Sequence, residues 1–181
     1  MNKYRIKRAH LGDCGTLAGI WEEAVSQTHD FLSPEDFAFY RSALPSYFDG
    51  LQLFTFEYTD GKISGFAGIK GDKLEMLFVG ARGRGIGKIL LDFAVKERYV
   101  TKVDVNAQNT AAVDFYRKYG FRETGSSPVD GEGKPYPVLH MEIESARPRM
   151  PHGHPGGMPP HGHPGSHPDG HGHGGHDHGN K

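Results

Sequence analysis

Apolar and polar residues alternate with two distinct periods along this chain, and the switches between them mark out the elements. Tyr4, Ile6 and Arg8 alternate with Arg5 and Lys7, which predicts a first strand. After Asp13, expected to cap a helix, Leu17, Ile20, Trp21, Ala24 and Val25 recur at helical spacing. Thr28–Leu32 breaks that pattern. Ser33-Pro34-Glu35-Asp36 then starts a second helix, with a serine cap, proline at the first position and acids in the first turn. That helix carries Phe37, Phe39, Tyr40 and Leu44 and is expected to end at Pro45. Two strands, about 51–58 and 63–69, are joined at Asp60-Gly61 as a hairpin.

Leu74–Val79 is apolar apart from Glu75 and predicts a strand buried within a sheet. A glycine-arginine turn follows. Ile86, Ile89, Leu90, Phe93 and Ala94 then line one face of a third helix. Val103 and Val105 alternate with Lys102, Asp104 and Asn106 as a fifth strand; Thr110–Tyr119 is a short helix closed by Gly120. Phe121–Thr124 and Pro137–Ile143 supply the last two strands. The order β-α-α-β-β-β-α-β-α-β-β predicts a mixed α/β sheet with helices on both faces.

Composition changes this picture at one end only. Nine of the twelve histidines lie beyond Pro151, in a segment of His, Gly and Pro with almost nothing apolar. Such a segment has too little to bury, so residues 1–146 are expected to form the folded domain and 147–181 a disordered tail. The formal charge of −1 and the lack of a basic face argue against nucleic acid as a partner. One cysteine, Cys14, rules out an internal disulfide and suits a reducing compartment. No signal-like or membrane-length apolar run occurs, so a soluble, cytoplasmic protein with no membrane partner is expected.

The turn between the fourth strand and the third helix carries the chemistry. Gly83, Gly85 and Gly87 strip it of side chains where the first helical N–H groups lack partners, and Arg82, Arg84 and Lys88 add positive charge. Backbone donors and the positive end of a helix dipole suit a pyrophosphate. Neither the P-loop spacing nor GxGxxG fits, because Arg82, Ile89 and Lys88 stand where those patterns need other residues. What remains is R-x-x-G-x-G, met by Arg82, Gly85 and Gly87.

This segment resembles the acyl-CoA signature of the GNAT family of N-acetyltransferases. Val103–Gly125, with its strand, asparagine, tyrosine-bearing helix and Gly120-Phe121, resembles that family's second half. Thr28–Leu32 and Gly133–Pro137 resemble a narrower bacterial subgroup, the YjaB-type acetyltransferases. The loop from strand four to Arg82, only Gly80-Ala81, is about two residues shorter than is usual in the family.

The resemblance implies acetyl-CoA as co-substrate and a primary amine as acceptor, joined by direct attack in a ternary complex. It implies cofactor contacts from Leu77, Phe78, Val79, Arg82, Gly83, Arg84, Gly85, Ile86, Gly87, Lys88, Asn109 and Tyr116. Tyr116 matches the family's general acid: a phenol is protonated at neutral pH and can give its proton to a departing thiolate. Asn109 has a second reading as a helix N-cap. For the general base, Asp104 and Glu75 stand as rivals, each expected to have its pKa raised by apolar walls, with a water chain as the third choice. His29, Asp30, Phe31 and Tyr136, with Lys134, are expected to line the acceptor pocket, although Asp30 reads equally as a cap of the second helix. A monomer or homodimer fits the family.

The tail holds four His-x-His pairs, His152/His154, His161/His163, His171/His173 and His176/His178. Neutral imidazoles on a flexible chain ligate Ni, Zn or Cu, so loose, pH-dependent metal binding is expected there. The alternative to an enzyme is a non-catalytic acyl-CoA sensor, or a metal-handling protein that uses the domain as a scaffold.

Overall fold

A computed structural model describes residues 3–80 and 84–148. Seven strands and four helices follow one another as β1 (Tyr4–Arg8), α1 (Cys14–Thr28), α2 (Pro34–Asp49), β2 (Gln52–Tyr58), β3 (Ile63–Lys70), β4 (Lys73–Val79), α3 (Ile86–Glu97), β5 (Lys102–Asn106), α4 (Thr110–Tyr119), β6 (Arg122–Ser127) and β7 (Val138–Glu142). A 3-10 turn, Leu11–Asp13, precedes α1. The order of elements is the expected one. The strands form one sheet in the order β1-β2-β3-β4-β5-β7-β6. Every pairing is antiparallel except β4 with β5. No helix among the described residues is long and apolar enough to cross a membrane.

Period-two alternation sends successive strand residues to opposite faces, and each face has its own core. On one face, Phe54, Phe56, Ala67 and Ile69 pack with Leu90, Leu91 and Ala94 of α3 and Val113 and Tyr116 of α4. On the other, Leu53 and Phe66 pack with Leu17, Trp21 and Val25 of α1 and Leu44 and Phe48 of α2. Gly65 lets α3 approach β3: a Cβ there would lie 3.1 Å from Ile86 Cγ2 and 3.2 Å from Leu90 Cδ1.

Four sequence expectations need correction. Helix α2 runs through Pro45 to Asp49, because Leu44 and Phe48 on either side of the proline are both buried and hold the last turn in place. Asp13 makes no side-chain cap to α1; its carboxylate accepts the His10 N–H at 2.8 Å. Helix α3 buries Ile86, Leu90, Leu91, Ala94 and Val95, while Ile89 and Phe93 are only partly covered, so its buried arc is rotated from the predicted one by its seat on β3 and β4. Strand β4 is buried at Leu74 but only half-buried from Met76 to Val79. The last difference creates the site.

Candidate active site

Strands β4 and β5 pair only at Lys73↔Lys102 and Leu74↔Val103, then part. The cause is visible in the register of β3 with β4: Gly68 pairs with Met76 and Ile69 with Leu74, which leaves Glu75 as an extra, bulged residue. The bulge breaks the alternation of faces. Leu74 joins the α3/α4 core, whereas Met76 and Phe78 pack towards α1 and α2. Beyond it, the β5-facing backbone of Leu77, Phe78 and Val79 has no ladder partner on β5.

The opening is a narrow cleft of about 110 Å³ between residues 74–78 and 103–106, with His29 and Tyr116 on its walls. Towards α3 and α4 it adjoins a space of about 230 Å³ lined by Val79, Gly87, Asn109, Phe115 and Tyr116, which also reaches Ala24, Thr28 and His29 at the end of α1. Towards α1 and α2 it adjoins one of about 210 Å³ lined by His29, Phe31, Tyr40, Glu75, Asp130 and Tyr136. A slot that opens onto two adjoining spaces, with His29 and Phe78 on the walls of both, can hold two substrates with their reactive ends meeting between the strands.

On the α3 side, Gly85 is the N-cap in the left-handed region, φ +74°, a conformation that glycine adopts without strain. Its carbonyl accepts the Ile89 N–H at 3.1 Å, and it has no side chain to cap the helical amides that follow. Ile86 is buried and anchors the turn; Arg84 is exposed; Lys88 is exposed with its ammonium 3.7 Å from Asp92. Arg82 and Gly83 lie outside the described residues. A Cβ on Gly87 would meet the Phe115 ring at 3.6 Å and Val79 at 3.8 Å, so its backbone borders the chamber.

Tyr116 is 7% exposed, seated between Phe115 and Phe121 with ring centroids 5.2 and 5.6 Å away. Burial raises its phenol pKa, which keeps it protonated well past neutrality. Its helix is tied to α3 by the Tyr119 hydroxyl, which donates to Asp92 at 2.7 Å. Asn109 does cap α4, accepting the Ala112 N–H at 3.2 Å, and also lines the chamber.

The base candidates separate. Asp104 is engaged twice, by His140 Nδ1 at 2.7 Å and Lys73 Nζ at 2.6 Å. Burial would raise its carboxyl, but these two partners outweigh it and hold the group below its ordinary value. The expected upward shift is therefore corrected for Asp104. Glu75 has no side-chain hydrogen bond among the described residues, and it borders both the narrow cleft and the α1/α2 chamber.

His29, Phe31 and Tyr136 do come together: the His29 and Phe31 rings are 5.1 Å apart and those of Phe31 and Tyr136 6.0 Å. Thr28 Oγ1 donates to the Ala24 carbonyl and so accepts from His29 Nδ1 at 2.6 Å, which leaves Nε2 of the neutral ring as an acceptor with no hydrogen bond among the described residues. Burial lowers the His29 pKa, partly offset by the charge of Asp30. Asp30 itself is exposed in the turn; Ser33, not Asp30, caps α2 by accepting the Asp36 N–H at 3.1 Å.

Sequence reasoning missed the latch that closes this chamber. Tyr136 donates to Asp36, Tyr40 donates to Asp130, Tyr47 donates to Glu132 at 2.7 Å, and Lys134 sits 3.0 Å from Asp36. The loop before β7 is thereby tied along α2. The Tyr136 bond, then that of Lys134, lowers the Asp36 pKa, while burial and then Glu132 push the Tyr47 phenol up to about 12. The available signal was Asp36, Tyr40 and Tyr47, which fall on one face of the helix.

Among the described residues no group of three or more His, Cys, Asp or Glu is placed to hold a metal. The tail histidines expected to ligate one all lie outside the described residues: His152 with His154, His161 with His163, His171 with His173, and His176 with His178.

A family model described as an acetyltransferase (GNAT) domain matches residues 19–145. The chain is 36% identical over 138 residues to the peptidyl-lysine N-acetyltransferase YjaB of Salmonella typhimurium, covering 75% of this chain and 95% of that protein. The solution structure of apo-form YjaB from Escherichia coli superposes with a TM-score of 0.72 at 33% identity, over 80% of this chain and 99% of that one. The structure of yncA from Salmonella typhimurium with its cofactor acetyl-CoA shares the fold, with a TM-score of 0.57 at 19% identity over 83% of this chain and 99% of that one.

Proposed function

The chain belongs to the GNAT acetyltransferase family, and from that premise we propose that it moves the acetyl group of acetyl-CoA to the side-chain amine of a lysine in a protein or peptide, by direct attack within a ternary complex. The observation that carries this is the slot between β4 and β5 with two spaces opening from it, one reaching Gly87 and Tyr116 and the other Glu75 and Tyr136. The pyrophosphate rests on the amides that open α3, and the thioester arm runs along the unpaired edge of β4 as an added strand would. Amides of Leu77–Val79 receive the oxyanion as the tetrahedral intermediate forms.

The amine enters from the α1/α2 side as an ammonium drawn by Glu75. Neutral His29 Nε2 takes one proton from the ammonium before the free amine bonds to the thioester carbon, and the second nitrogen proton passes to the phenolate oxygen of Tyr116 as the intermediate collapses. Tyr116 gives its proton to the sulfur as the C–S bond breaks. Asp104, held by Lys73 and His140, takes no part in proton transfer. The YjaB likeness supports lysine as the acceptor.

The test is CoA release in steady state from acetyl-CoA and a panel of lysine peptides, N-terminal amines and polyamines. Lysine peptides should turn over, with the mass of one acetyl group on the ε-nitrogen. Acetyl-CoA binding without CoA release from any amine would favour the sensor alternative instead.

We further propose that the tail histidines bind Ni, Zn or Cu loosely, through several imidazoles per ion. Metal titration of the full chain should show more sites than a chain ending at Ala146, with the extra sites lost as the imidazoles protonate below about pH 6. Equal stoichiometry for the two chains would exclude this role.

A further inference from the structure

On the sheet face that carries Asp104, three side chains from three strands form a hydrogen-bonded row. Asp104 of β5 reaches His140 Nδ1 of β7 at 2.7 Å, and His140 Nε2 reaches Ser127 Oγ of β6 at 2.8 Å. The register builds the row: Asp104 pairs directly with His140, and a shift between Glu123 and Gly125 sets Gly125 opposite the same histidine. A Cβ on Gly125 would lie 3.6 Å from His140 Cδ2, so the imidazole lies over the glycine and points along β6 towards Ser127. Thr124 Oγ1 secures this corner by donating to the His140 carbonyl at 3.2 Å.

The chemistry of the row has a direction. A carboxylate only accepts hydrogen bonds, so His140 Nδ1 carries the proton facing Asp104. In the neutral ring Nε2 is then an acceptor, and Ser127 is the donor. Lys73 Nζ on the far oxygen of Asp104, at 2.6 Å, helps to keep that carboxylate ionised. His140 and Asp104 are 38% and 35% exposed, so solutes can reach the row. Strand β6 is the last of the sheet, and every second amide along it points away from β7, outside the ladder.

We propose that Ser127 is an activated nucleophile, with His140 as its base and Asp104 fixing the histidine tautomer, and that it takes acyl groups from small activated esters. Ser127 Oγ bonds to the ester carbonyl carbon and its proton passes to His140 Nε2. The bond to the leaving oxygen breaks, and His140 returns the proton to that oxygen. Water then attacks the acyl-serine by the same proton route, releasing a carboxylic acid and restoring the hydroxyl. Outward-pointing amides of β6 are the donors available to the oxyanion. This reactivity does not depend on acetyl-CoA.

The test uses the full chain, without CoA, and a fluorophosphonate probe. Phosphorus bonds to an activated serine oxygen and fluoride leaves. Peptide mapping should place the label on Ser127, with p-nitrophenyl acetate competing for the same residue. His140→Gln should lower the labelling rate at least about 100-fold, and Asp104→Asn by a similar factor through loss of the tautomer. The urea midpoint reports whether each variant folds, and if one does not, the other decides. Ser127→Ala should abolish the label and leave CoA release in the presence of amine unchanged. No label on Ser127 in the wild-type chain, or equal labelling in a folded variant at His140 or Asp104, overturns the proposal.

Discussion

Replacing Tyr116 with phenylalanine should lower kcat for acetyl transfer by about 10²-fold or more, with the dissociation constant for acetyl-CoA changed by no more than a few-fold. The ring supplies the packing and the hydroxyl the proton. Phenylalanine keeps the contacts with Phe115 and Phe121 and removes only the acid. Because burial raises this phenol, it stays protonated across the neutral range and beyond its ordinary value of 10.0. An alkaline fall in wild-type kcat below about pH 10 must therefore come from another group. Stopped-flow release of CoA thiol, with acetyl-CoA binding measured separately by calorimetry, resolves the two effects. Full activity in the variant would take the acid role from Tyr116 and leave the rest of the slot geometry standing.

The second large effect concerns the scaffold. Phe66 is fully buried at 0% exposure in the middle of β3, with its ring 5.9 Å from that of Phe48 on α2 and 5.8 Å from that of Phe78 on β4. Truncation to alanine removes a large buried surface and leaves a cavity that the neighbours on α2 and β4 cannot close together, at a cost of about 3–5 kcal/mol. Against a typical domain stability of about 5–15 kcal/mol, that brings the chain near its unfolding threshold, with Tm lower by on the order of 10 °C. Leu11, 88% exposed, is the control: alanine there should move stability by less than about 0.5 kcal/mol. Urea midpoints measured side by side with a common m-value settle the contrast. Phe78 also lines the slot, so Phe66→Ala should weaken acetyl-CoA binding in the fraction that remains folded.

The corrected details share a cause. Pro45 lies inside a helix because burial of Leu44 and Phe48 outweighs the local signal to stop. Asp104 has a lowered carboxyl because Lys73 and His140, 31 and 36 residues away, converge on it. Local pattern carries no record of either. His29, Phe31 and Tyr136, expected together from short stretches of likeness, do meet, and Asp30 is exposed in the turn after α1. Tyr40 with Asp130, separated by 90 positions, belonged to no motif at all.

From the sequence by itself came the order of strands and helices, the turn of glycines before α3, the tyrosine on α4 and the break in composition near residue 147. These are legible because side-chain period, backbone freedom and bulk polarity are local properties of the chain. Tertiary structure alone decided that β4 carries an extra residue at Glu75, that β4 and β5 part after Leu74, and that Asp104, His140 and Ser127 fall in line. Those outcomes depend on cross-strand register, which is set when distant segments compete to bury their apolar faces against one another.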